Sequence, residues 1–155
     1  MPETIRTISP STKQVVYECA GTSFTEAKGI VQTSQDAFAT WRKVSLAQRI
    51  ATVVKALSLI QQRKEQLGLE LTTQMGRPIA YSVKEIETMQ KRADYLLRIA
   101  EDALLDIPGQ KEPGFRRWIK KEPVGPTLVV FAWNVSLIHP QALKACWLNM
   151  DPPKI

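Results

Sequence analysis

The sequence predicts an α/β fold in which an N-terminal helical region leads into a buried strand. Two observations carry this prediction. Apolar residues in the middle of the chain recur at the spacing of amphipathic helices. A later run, Thr127-Leu128-Val129-Val130-Phe131-Ala132, is almost wholly apolar, which is typical of a strand covered on both faces in a parallel sheet. Helices followed by such a strand favour the α/β class.

The chain opens with two predicted strands. The first spans Thr4–Ile8, the second spans Lys13–Cys19, and the turn residues Ser9-Pro10-Ser11 lie between them. We interpret Cys19 as a small structural residue at the end of the second strand.

Three helices are predicted next, because three hydroxyl residues are each followed three positions later by an acid or an amide. This is the pattern of a capping box, in which the two side chains satisfy free backbone N–H groups at a helix start. The three pairs are Ser23/Glu26, Ser45/Gln48 and Ser82/Glu85. Apolar stripes follow each pair and are predicted to face the core; they are Ile30, Ala37, Phe38 and Trp41, then Ile50, Val53, Val54, Leu57, Ile60 and Leu67, then Ile86, Met89, Ala93, Leu96, Leu97 and Ala100.

The ends of these helices carry breaking residues. Gly76-Arg77-Pro78 ends the second helical stretch, Gly68 is a candidate break within it, and Pro108-Gly109 follows the third. Phe115–Lys121 then mixes aromatic, apolar and basic residues, as an exposed or edge strand does. Glu122-Pro123-Val124-Gly125-Pro126 predicts a turn before the buried strand.

Composition excludes several classes of protein. The net charge is +6, but the basic residues are dispersed among acids, so we predict a basic solvated surface and no nucleic-acid binding. No apolar run is long enough to span a membrane, and the N-terminus lacks the pattern of a secretory signal. Two distant cysteines fit the reducing cytosol, and one histidine gives no metal-binding cluster, so we expect a cytoplasmic protein without a metal.

Chemistry is expected just beyond the buried strand, because ligands of open α/β sheets bind outside the carboxyl ends of the strands. Asn134 lies there, in Trp133-Asn134-Val135-Ser136. Its side-chain amide could donate to a ligand oxygen, as an oxyanion donor does. From spacing alone, a cap on the following turn explains Asn134 better.

Several segments, taken in order, resemble the aldehyde dehydrogenase family. The segment Glu122-Pro123-Val124-Gly125, the strand to Phe131 and the following Ala132-Trp133-Asn134 are similar to the part of that family that leads into the cofactor site. Gln74-Met75-Gly76-Arg77-Pro78-Ile79, the opening strands and the basic strand Arg116–Lys121 occur at matching relative places. The resemblance covers about Thr4 to Leu137, and within the family it is to a fungal branch similar to succinate-semialdehyde dehydrogenases.

The resemblance implies NAD(P)-dependent oxidation of an aldehyde to a carboxylic acid. In the family, a cysteine thiolate attacks the aldehyde, hydride passes to the nicotinamide, and a glutamate activates water to release the acid. By this resemblance Asn134 is the oxyanion donor, and Phe131, Ala132 and Trp133 line the cofactor, which is NAD or NADP. Residues 1–155 would then form part of a Rossmann-like, N-terminal cofactor-binding domain that is incomplete.

The sequence departs from the family pattern after Leu137. Pro152-Pro153 cannot donate the hydrogen bonds of the next expected strand. Lys154 is therefore not expected to make the contact with the cofactor ribose that a lysine at the end of that strand makes in the family. Cys146 follows Asn134 too closely to match the family's nucleophile, and we interpret it as a buried apolar residue. We interpret His139 as a surface or capping residue. We therefore expect the nucleophile and the general base to be absent and binding of the cofactor by this chain to be doubtful.

Three hypotheses follow. The first is a member of the aldehyde dehydrogenase family that has negligible turnover as an isolated chain. The second is a non-catalytic interaction module, which forms a homo- or hetero-oligomer with full-length relatives through its basic edge strand. The third is a truncated product that folds poorly because its half-sheet exposes apolar surface.

Overall fold

A computed structural model describes residues 3–129. Within this range the chain opens with an antiparallel hairpin of β1 (Thr4–Ile8) and β2 (Val15–Ala20), in which Thr4 lies opposite Ala20. The predicted hairpin is confirmed, but β2 begins two residues later than expected. The cause is a wider turn, in which Lys13 has a positive φ of 61° and donates its backbone N–H to the Ser9 carbonyl.

The first helix, α1 (Phe24–Trp41), begins as the capping box predicts. The Ser23 hydroxyl accepts from the Glu26 backbone N–H, and the Glu26 carboxylate accepts from the Ser23 backbone N–H. The prediction that its apolar stripe is core is wrong within the described range, where α1 has no buried residue and Ile30 is 59% exposed. Ala37 is also exposed, whereas Phe38 and Trp41, nearer the end of the helix, are half-buried.

The second helical stretch is two helices, α2 (Leu46–Gln62) and α3 (Lys64–Met75). The Ser45 hydroxyl caps α2 by accepting from the Gln48 backbone N–H, as predicted, but the Gln48 side chain accepts from that hydroxyl at 3.1 Å in place of the predicted return bond. The break falls at Arg63 and not at Gly68, which is buried inside α3. Glycine is needed at that position for close packing, because a Cβ there would lie 2.8 Å from a methyl group of Val83.

The long helix α4 (Ile79–Leu104) begins directly after Pro78, so the predicted start at Ser82 is wrong. Pro78 is the N-cap, with a φ of −58° and an extended ψ of 134°, and it has no N–H to satisfy. The helix therefore begins four residues before Val83, the first helical residue that the capping box at Ser82 implies. Ser82 is instead buried in the first turn, where its hydroxyl is hydrogen-bonded to that of Thr72 at 3.0 Å. Glu85 is also buried and forms an ion pair with Arg77.

The hydrophobic core lies where α4 packs against α2 and α3. The predicted stripes of α2 and α4 are confirmed at their centres, although Val54 is 50% exposed. Fully burying a side chain of the size of Leu57 or Ile86 stabilises the fold by about 2 kcal/mol. The buried apolar cluster consists of Val53, Leu57, Ile86, Met89 and Ala93, with Ile60, Leu67, Leu71 and Leu97 packed partly against it.

After α4 the chain forms a second antiparallel pair, β3 (Ile107–Pro108) and β4 (Trp118–Ile119). The exposed strand predicted at Phe115–Lys121 is thus present in shorter form. Thr127–Val129, the described part of the predicted buried strand, forms no strand, and Leu128 is 89% exposed. Both sheets within residues 3–129 are antiparallel, so the predicted parallel sheet is not seen there. No helix in this range is long and apolar enough to cross a membrane.

Candidate functional site

The residues predicted to line the site, Phe131, Ala132, Trp133 and Asn134, lie outside the described residues, as do His139, Cys146 and Lys154. Their assignments therefore stay predictions. The described structure ends at Val129, two positions before Phe131. We call Lys120–Val129, which leads to these residues, the approach segment. The structure shows which contacts fix this segment to the helices.

Two contacts of Lys121 fasten the start of the approach segment to the end of α4. Its ammonium Nζ donates to the carbonyl oxygen of Ala103 at 2.6 Å. Its backbone N–H donates to Oδ1 of Asp106 at 3.2 Å. A cation at a helix C-terminus satisfies a free carbonyl and interacts favourably with the helix dipole. Lys121 therefore fixes where the chain leaves β4.

Glu122 fastens the same segment to α1. Its carboxylate forms an ion pair with the Arg42 guanidinium at 3.2 Å and a second ion pair with Lys120. Its hydrogen bond with Lys120 is the main cause that lowers the pKa of Glu122, and the charges of Lys120 and Arg42 lower it further. The same hydrogen bond raises the pKa of Lys120. These side chains are about half exposed, so their contribution to stability is modest.

Gly125 lies in the middle of the approach segment. It is buried, has a φ of +121°, and packs beside the ring of Phe38. Side-chain-bearing residues rarely adopt such a φ, so glycine is required by the backbone here. No turn forms over Glu122–Pro126, so that prediction is wrong, and the contacts that tether this segment to Arg42 and to the end of α4 were not foreseen. The acid and its cation were visible in the sequence, but nothing local connects Arg42 with Glu122, which lie 80 residues apart.

The paired charges predict a pH dependence. Because the pKa of Glu122 is lowered on folding, its stabilising contribution is present above the ordinary glutamate value of roughly 4.3 and is lost as the pH falls through the folded value. We expect Glu122→Gln to flatten the dependence of the urea midpoint on pH between about 5 and 3. Glu70→Gln, which removes an exposed acid of α3 whose hydrogen-bond partner is the amide of Gln66, serves as the control. Parallel pH profiles for wild type and Glu122→Gln would contradict the role given to this ion pair.

The described residues do not assemble a catalytic centre. Cys19, the one cysteine among them, lies half-buried in β2. Its hydrogen bond with the Tyr17 side chain is the main cause that raises the pKa of Tyr17. No group of three or more histidine, cysteine or acidic side chains in residues 3–129 could hold a metal ion. Residues 3–129 form four helices and the approach segment, which precedes the predicted site.

The sequence matches a family model described as "Aldehyde dehydrogenase family" over residues 1–146. It is 22% identical over 159 residues to the mitochondrial succinate-semialdehyde dehydrogenase of Arabidopsis thaliana, covering 99% of this chain and 30% of that protein. It is 26% identical over 134 residues to a probable betaine aldehyde dehydrogenase of Schizosaccharomyces pombe, covering 84% of this chain and 27% of that protein.

The fold agrees with solved structures. A mutant of the P. syringae indole-3-acetaldehyde dehydrogenase, in complex with NAD+ and IAA, matches with a TM-score of 0.84 and 25% identity, covering 95% of this chain and 30% of that one. A structure of an indole-3-acetaldehyde dehydrogenase in apo form matches with a TM-score of 0.86 and 25% identity, covering 96% of this chain and 35% of that one. These likenesses confirm the predicted fold class as part of an α/β dehydrogenase fold. The chain spans about 30% of the length of the curated relatives named here, and it belongs to the aldehyde dehydrogenase family as an N-terminal part of that fold.

Proposed function

We propose that this chain is the cofactor-side part of an NAD(P)-dependent aldehyde dehydrogenase. The observation that carries the proposal is the match to the family over residues 1–146, which includes the predicted oxyanion donor Asn134. Solved relatives contain NAD+ or NADP+, which supports a nicotinamide cofactor. When bound, such a cofactor supplies the hydride acceptor.

The roles proposed for this chain are binding and charge stabilisation. Phe131, Ala132 and Trp133 would line the cofactor. The side-chain amide of Asn134 would donate a hydrogen bond to the aldehyde oxygen as negative charge develops on it. The approach segment supports these roles, because Lys121, Glu122 and Gly125 hold the chain that leads to them.

A chimera tests these roles. Residues 4–137 would replace the matching segment of the full-length Arabidopsis relative, and succinate-semialdehyde oxidation would be followed. We expect Asn134→Ala to lower kcat by about 100- to 1,000-fold with little change in KM, the usual loss for one oxyanion donor. Ser136→Ala, a neighbouring polar change, is the control and should leave kcat nearly unchanged. An equal effect of the two substitutions would contradict the role of Asn134.

For the 155-residue chain by itself we propose negligible turnover, because one oxyanion donor replaces neither nucleophile nor base. The substrate class is an aldehyde, and succinate semialdehyde is the first candidate because succinate-semialdehyde dehydrogenases are among the relatives. The scarcity of cysteines supports a cytosolic location.

The exposed strand β4 favours a second function. We propose that the chain also acts as an interaction module that associates with other proteins, full-length relatives included, through its basic edge strand Arg116–Lys121. The supporting observation is that Trp118 and Ile119 are 53% and 64% exposed on a strand that has one neighbour within the described range. Sedimentation of the chain mixed with a full-length relative tests this function; a heavier species supports it, and independent sedimentation at all concentrations contradicts it.

A further inference from the structure

The C-terminal end of α1 contacts the approach segment at two points. Phe38 and Arg42 lie four positions apart, so their side chains share one face of the helix. The Arg42 guanidinium forms its ion pair with Glu122 at 3.2 Å, and the Phe38 ring lies beside the buried Gly125. We call Phe38 and Arg42 together the α1 seat.

Arg42 links the two contacts of the α1 seat. Its guanidinium carbon lies 5.6 Å from the centre of the Phe38 ring, within the range of a cation–π interaction. Its Nη2 atom donates at the same time to the Glu122 carboxylate. A guanidinium can make both contacts because it is planar and delocalised, whereas a lysine ammonium is a compact, strongly hydrated charge. Arg42 therefore orders the Phe38 ring and the Glu122 carboxylate together.

The chain between the two contact points is stiff. Pro123 and Pro126 each fix their own φ near about −65°. The residue before a proline is also restricted to extended conformations, which limits Glu122. Few backbone dihedral angles are therefore free between Glu122 and Pro126. We expect a displacement of Glu122 to be carried along the chain to Gly125 and beyond, because the intervening backbone cannot absorb it.

The predicted oxyanion donor follows this stiff stretch. Asn134 lies nine positions after Gly125 in the sequence. Lys121 also anchors the approach segment, but the α1 seat holds it nearer to Asn134 along the chain. A misplacement of about 1 Å in a catalytic group can lower a rate about 100-fold. The restraint that α1 places on this segment is therefore expected to matter for the reaction.

We propose that Arg42 is a positioning residue for the dehydrogenase reaction, which acts through Asn134 by holding the approach segment against α1. This inference rests on the proposed function and assigns to it a residue that lies 92 positions before Asn134 in the sequence.

Kinetics of the chimera test the proposal. We expect Arg42→Gln to lower kcat for succinate-semialdehyde oxidation about tenfold, and Arg42→Lys, which keeps the charge without the planar group, to lower it about threefold. Arg6→Gln is the matched control, because it breaks an ion pair of similar exposure with Glu18 in the β1–β2 hairpin. It should leave kcat unchanged. Equal kcat values for Arg42→Gln and Arg6→Gln would overturn the proposal.

Combination with Asn134→Ala separates positioning from a loss of folded enzyme. If Arg42 acts through Asn134, Arg42→Gln should lower kcat by less than about twofold once Asn134 is alanine. A loss of folded enzyme would lower kcat by the same factor in both backgrounds and would overturn this inference alone. If Asn134→Ala by itself leaves kcat unchanged, the proposed role of Asn134 fails, and this inference fails with it.

A measurement on the 155-residue chain needs no turnover. A hydrogen bond with Lys120, followed by the charges of Lys120 and Arg42, holds the pKa of Glu122 below its ordinary value. Arg42→Gln removes one of these cations, so the pKa of Glu122, followed by carboxyl-carbon NMR, should rise but stay below the ordinary value. Arg6→Gln should leave it unchanged. An unchanged pKa of Glu122 in Arg42→Gln would show that the pair does not form in solution and would overturn the proposal.

Discussion

Arg77→Met is expected to lower the free energy of unfolding by about 3 kcal/mol, measured by urea denaturation. The Glu85 side chain is fully buried, whereas that of Arg77 is 30% exposed. Removing the guanidinium leaves a buried carboxylate without its cation, which is a large cost in a protein interior. We place the loss at the lower end of the usual range, because Arg77 is partly solvated and Glu85 has a further interaction.

Two controls separate this cost from ordinary loss of an ion pair. Arg6→Met breaks the pair with Glu18, whose side chains are 59% and 50% exposed, and should cost about 1 kcal/mol or less. The double variant Arg77→Met, Glu85→Leu removes both charges and should recover much of the stability lost in the single variant. A loss for Arg77→Met no larger than that for Arg6→Met would show that the buried pair does not hold the α3–α4 corner.

Gly76→Ala is expected to destabilise the fold by about 2 kcal/mol. Gly76 ends α3 with a φ of +73°, and an alanine Cβ there would collide with the ring of Pro10 in the β1–β2 turn. The added Cβ would cause both the backbone strain at positive φ and the collision with Pro10, and we expect both to contribute to the loss of stability. Thermal or urea denaturation measures the effect, and removing the ring in a Pro10→Gly, Gly76→Ala double variant should make the two effects less than additive.

Gly29→Ala is the matched control for this prediction. Gly29 lies within α1, and a Cβ there meets nothing within 4 Å in the described structure. Alanine is favoured over glycine in a helix, so this change should stabilise the fold by about 0.5–1 kcal/mol. Effects of the same sign at the two positions would contradict the distinction drawn from φ and packing.

Local chemistry made the first half of the fold predictable. The Ser23–Glu26 capping box placed the start of α1, and the spacing of Leu57, Ile86 and Met89 identified the core faces of α2 and α4. These features depend on residues within one or two helical turns, and a sequence shows such neighbours directly.

Predictions from the sequence were wrong or incomplete where distant contacts or competing local signals determine the structure. Ser82 fits a capping box, but Pro78 starts the helix earlier. The apolar stripe of α1 has helical spacing, yet burial requires a partner surface that residues 3–129 do not supply. The tether from Arg42 to Glu122 joins residues far apart in sequence, and periodicity carries no information about it. The predicted site residues, Phe131 to Asn134, rest on family resemblance and await experiment.

The most direct test of the account is NAD(P)-dependent aldehyde oxidation by the purified 155-residue chain, with succinate semialdehyde and short aliphatic aldehydes as substrates. We predict no turnover above the uncatalysed rate, because residues 1–155 contain the proposed oxyanion donor Asn134 without an identified nucleophile or base. Turnover that disappears in Cys146→Ala would contradict the account, since it would make Cys146 the nucleophile of a complete and much smaller enzyme.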